Sequence, residues 1–68
     1  MVLFLFESTH AVIKAEKICL ENGIKYKIIP VPRSISSQCG MSVEVEPEQK
    51  DRISQILDQS DIAYKIYS

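Results

Sequence analysis

Apolar and polar positions divide the chain into six periodic segments. Val2–Phe6 is an unbroken apolar run closed by Glu7 and Ser8, short and aromatic-containing, which predicts a strand with little solvent on either face. Ser8 and Thr9 are good N-cap residues, able to accept hydrogen bonds from the first free N–H groups of a helix. Behind them HAVIKAEKICLENG has helical periodicity. At 100° per residue Ala11, Val12, Ala15, Ile18 and Cys19 fall on one face about 120° wide. Gly23 is the expected left-handed residue after the helix. Ile13 and Leu20 lie off the stripe, on the same side as each other; they either extend the core contact or mark a small apolar patch. Ile24, Tyr26 and Ile28 then alternate with Lys25 and Lys27, and Pro30 and Pro32 end that strand because neither has an N–H to donate. Met41, Val43 and Val45 alternate with Ser42, Glu44 and Glu46, a half-buried strand. Pro47 suits the first position of a helix whose buried side carries Ile53, Ile56 and Leu57. Ile62–Tyr67 alternates again. The pattern predicts strands near 2–6, 24–31, 41–46 and 62–67 and helices near 9–22 and 47–59.

The order βαββαβ, with two right-handed crossovers in one sheet, predicts an α+β fold: a ferredoxin-like sandwich with antiparallel strand order 4-1-3-2 and both helices on one face. Residues 1–68 form a single domain with no linker or low-complexity stretch. Helices on one face leave Leu3, Leu5, Ile29 and Val31 on the other. Those groups are either ordinary exposed aliphatics or the seat of a second copy, a homo-oligomer through the open sheet face.

Composition narrows the partners. The net charge of −1 argues against a nucleic-acid binder, which would show a basic face. Lys and Arg outnumber acids five to three in residues 1–33, and acids outnumber them six to three in 34–68, too mild an asymmetry to name a partner. MVLFLF lacks the basic flank, length and cleavage site of a signal peptide, and no segment approaches the ~20 apolar residues of a membrane span. Two cysteines without a secretory signal point to the cytoplasm and to free thiols.

The stretch PVPRSISSQCG, residues 30–40, is long for so small a domain. The topology brings it to the sheet edge where the first strand ends and the first helix begins, so Ser8, Thr9 and His10 should face the loop carrying Arg33 and Cys39. A helix N-terminus with Arg33 or a protonated His10 beside it would lower a thiol's pKa, and Gly40 would leave the sulfur accessible. Cys19, on the inward helix face, reads as a small buried apolar residue. The plainer alternatives stay open: Cys39 as an incidental surface thiol, His10 as an exposed residue of the first turn, Arg33 as a solvated charge. One His and two distant Cys lack metal-ligand spacing, and no phosphate loop, carboxylate dyad or Ser-His-Asp pattern is present; no cofactor is expected.

FESTHAVIKAEK and PVPRSISSQCG, with the gap between them, resemble the selenium/sulfur carrier protein-like family over most of residues 4–45. The shared positions are Ser8, Thr9, His10, Pro30, Pro32, Arg33, Ser36, Ser37, Cys39 and Gly40. The resemblance implies a carrier of activated sulfur or selenium, held on Cys39 as a persulfide or selenopersulfide, rather than a turnover catalyst. Its partners would be a cysteine desulfurase or selenium-donor enzyme and a sulfur or selenium acceptor protein. Arg33 and the helix N-terminus would stabilise the anionic terminal atom, and Ser36 and Ser37 would donate hydrogen bonds to it. A non-catalytic ligand-binding or interaction module is the alternative, with a small-anion site at the 30–40 loop and Cys39 incidental. A redox-sensing thiol is a third reading.

Overall fold

The computed structural model describes residues 1–31 and 41–67. Strand β1 (Val2–Leu5) leads into helix α1 (Thr9–Glu21), then β2 (Tyr26–Pro30) and β3 (Met41–Val45). A 3-10 turn (Pro47–Gln49) opens helix α2 (Lys50–Gln59), and β4 (Lys65–Tyr67) follows. The four strands form one antiparallel sheet in the order β2-β3-β1-β4, the predicted order read from its other edge. The all-apolar β1 is central, as its composition requires.

One face of the sheet and both helices share a core. Val2, Phe4, Val43 and Val45 from the central strands bury with Val12, Ala15 and Cys19 of α1 and Ile53 and Leu57 of α2. Tyr64 packs its ring against Phe4 at a centroid distance of 5.4 Å. These are the positions that helical and strand periodicity marked.

Both helices end in the same way. After α1, the Ile24 N–H donates to the Cys19 carbonyl at 2.9 Å and the Gly23 N–H to Leu20 at 3.4 Å, with Gly23 at φ +65°. After α2, the Ile62 N–H donates to Leu57 at 3.0 Å and the Asp61 N–H to Asp58 at 3.3 Å, with Asp61 at φ 58°. Each is a Schellman closure, which satisfies the last carbonyls and turns the chain toward the sheet. The closures explain why β2 and β4 begin two and three residues later than alternation predicts: Ile24 and Ile62 spend their N–H groups on the helix. A shift of 38 residues superposes the two units in sequence, pairing Ile18 with Ile56, Cys19 with Leu57, Ile24 with Ile62, Tyr26 with Tyr64 and Ile28 with Ile66.

The face away from the helices departs from the simple expectation of exposed aliphatics. Leu5 and Val31 are buried, and Leu3 and Ile29 are half-buried. Ser42, which alternation places on a polar face, is fully buried. Its hydroxyl donates to the Ile29 carbonyl at 3.2 Å, so the polar group enters the interior with a partner.

Candidate functional site

The site builds outward from the start of α1. Ser8 has extended backbone geometry, and its Oγ accepts from the Ala11 N–H at 3.1 Å, the N-cap bond that its residue type predicts. With its oxygen engaged as an acceptor, the hydroxyl still has its hydrogen to donate. Thr9 and His10 are exposed in the first turn, which carries no acidic side chain; Glu7 lies outside the helix. The positive end of the helix dipole therefore has no carboxylate within its own turn to offset it.

The sheet register fixes where the segment from 32 to 40 is attached. Pro30 pairs with Met41, Ile29 with Ser42, and Ser42 on its other side with Leu5. The segment's two ends thus stand at the edge where β1 finishes and the chain turns into α1. Pro30, at the end of an edge strand, occupies a place that tolerates the missing N–H. Pro32, Arg33, Ser36, Ser37, Cys39 and Gly40 lie outside the described residues.

Cys19 is fully buried on the inward side of α1, a free thiol. Burial pushes its pKa above the ordinary 9.0, and the nearby Glu16 carboxylate adds to the rise. Such a thiol stays protonated at neutral pH and out of solvent, the opposite of what a nucleophile needs. The same carboxylate accepts a 2.7 Å hydrogen bond from the Tyr26 hydroxyl, tying α1 to the edge strand β2. Sequence reading missed this pair. Among the described residues, no group of three His, Cys, Asp or Glu side chains is placed to hold a metal ion, and no helix is long and apolar enough to cross a membrane.

The whole chain, residues 1–68, matches the family described as "Putative Se/S carrier protein-like". The chain belongs to that family. No curated protein and no solved structure matches it.

Proposed function

We propose that this family member carries activated sulfur or selenium on Cys39, as a persulfide or selenopersulfide, on a ferredoxin-like scaffold in the cytoplasm. One observation carries the reading. A carrier in this family needs an available thiol, the chain has two, and Cys19 is buried with its pKa raised. Cys39 is the candidate that remains.

In the loading step the Cys39 thiolate attacks the terminal sulfur of the donor's persulfide. The donor's S–S bond breaks as the new one forms on Cys39, the donor leaves as a thiolate, and no net oxidation occurs. With a selenium donor the terminal selenium is taken in the same way. Delivery reverses the polarity: the acceptor's nucleophile takes the terminal atom and Cys39 leaves as a thiolate. The proposed donor is a cysteine desulfurase or a selenium-donor enzyme, and the acceptor is a separate protein. Arg33 and the unneutralised N-terminus of α1 favour the anionic forms, with Ser36 and Ser37, and the Ser8 hydroxyl hydrogen, as donors to the terminal atom. Thr9 and His10 line the same edge, and Gly40 leaves the sulfur open to approach.

The carboxylate-free first turn of α1 also suits the second reading, a non-catalytic module that holds a small anion at this edge. Self-association through the open sheet face draws little support from exposure, because Leu5 and Val31 are already buried within one chain. Intact-mass analysis after incubation with a desulfurase and cysteine separates carrier from module: the carrier gains one sulfur atom at Cys39, and the module gains none.

A further inference from the structure

We draw no further inference here: the strongest candidate, the open groove of about 550 Å³ between the end of α1 and the edge strand β2, is lined by both Lys25 and Lys27 and Glu44 and Glu46, and nothing in the structure shows what covers it.

Discussion

The backbone N–H of Ile24 reaches the carbonyl of Cys19 at 2.9 Å, and both side chains belong to one buried cluster. This closure places Cys19 under the end of α1, at the position that Leu57 fills in α2, and makes it a packing residue. Cys19→Ser should therefore destabilise the fold by about 1–3 kcal/mol, because it puts a hydroxyl into the core in place of a thiol. Urea denaturation measures it, and a neutral result would mean that the site is wetter than its burial indicates.

The two thiols should also differ in reactivity. A mild alkylating reagent is expected to modify Cys39 well before Cys19 in the folded protein, with the difference vanishing in denaturant. Peptide mapping after brief labelling reads the order. Faster labelling at Cys19 would contradict the assignment of roles.

Gly23 and Asp61 occupy equivalent left-handed positions, and only Gly adopts that conformation without steric cost. Gly23→Ala meets no atom within 4 Å of the added Cβ, so its cost is conformational alone, about 1 kcal/mol. Asp61→Gly should act in the opposite sense and stabilise by a similar amount. For a domain of this size each change corresponds to a shift of about 4–8 °C in Tm, which thermal unfolding resolves. A stabilising Gly23→Ala would refute the closure.

Much of this frame was readable in the sequence because each element carries its own local signal. The α1 stripe, Ser8 at the N-cap and Gly23 beyond the C-terminus fall where periodicity and capping chemistry put them. The late starts of β2 and β4 were hidden, since alternation cannot show that Ile24 and Ile62 donate backward to a helix. Ser42 was misplaced because its burial depends on a carbonyl thirteen residues away. The internal repeat did have a signal, IKYKI at 24–28 against IAYKI at 62–66, which alternation alone passes over. For the site, Ser8 and Cys19 were legible as a cap and a core residue. Cys39 and Arg33 lie outside the described residues, so their roles stand on residue chemistry and family membership.

Alkaline pH should weaken the fold through two groups that share Glu16. Burial, then the Glu16 charge, raises the Cys19 pKa; the hydrogen bond to Glu16, then burial and the same charge, raises that of Tyr26. Both groups hold their protons more tightly when folded. The stability they contribute is complete below the ordinary values of 9.0 and 10.0 and is lost as pH rises from there through the raised values. Urea midpoints should fall above about pH 9, and less steeply in the Cys19→Ala, Tyr26→Phe double variant. Parallel curves would contradict the assignment.

The central claim is tested most directly by the intact mass of wild type, Cys39→Ser and Cys19→Ser after incubation with a cysteine desulfurase and cysteine, in parallel with sodium polysulfide. Wild type and Cys19→Ser should each gain one sulfur atom that dithiothreitol releases, while Cys39→Ser should stay folded and gain none. Equal loading of wild type and Cys39→Ser would contradict the account.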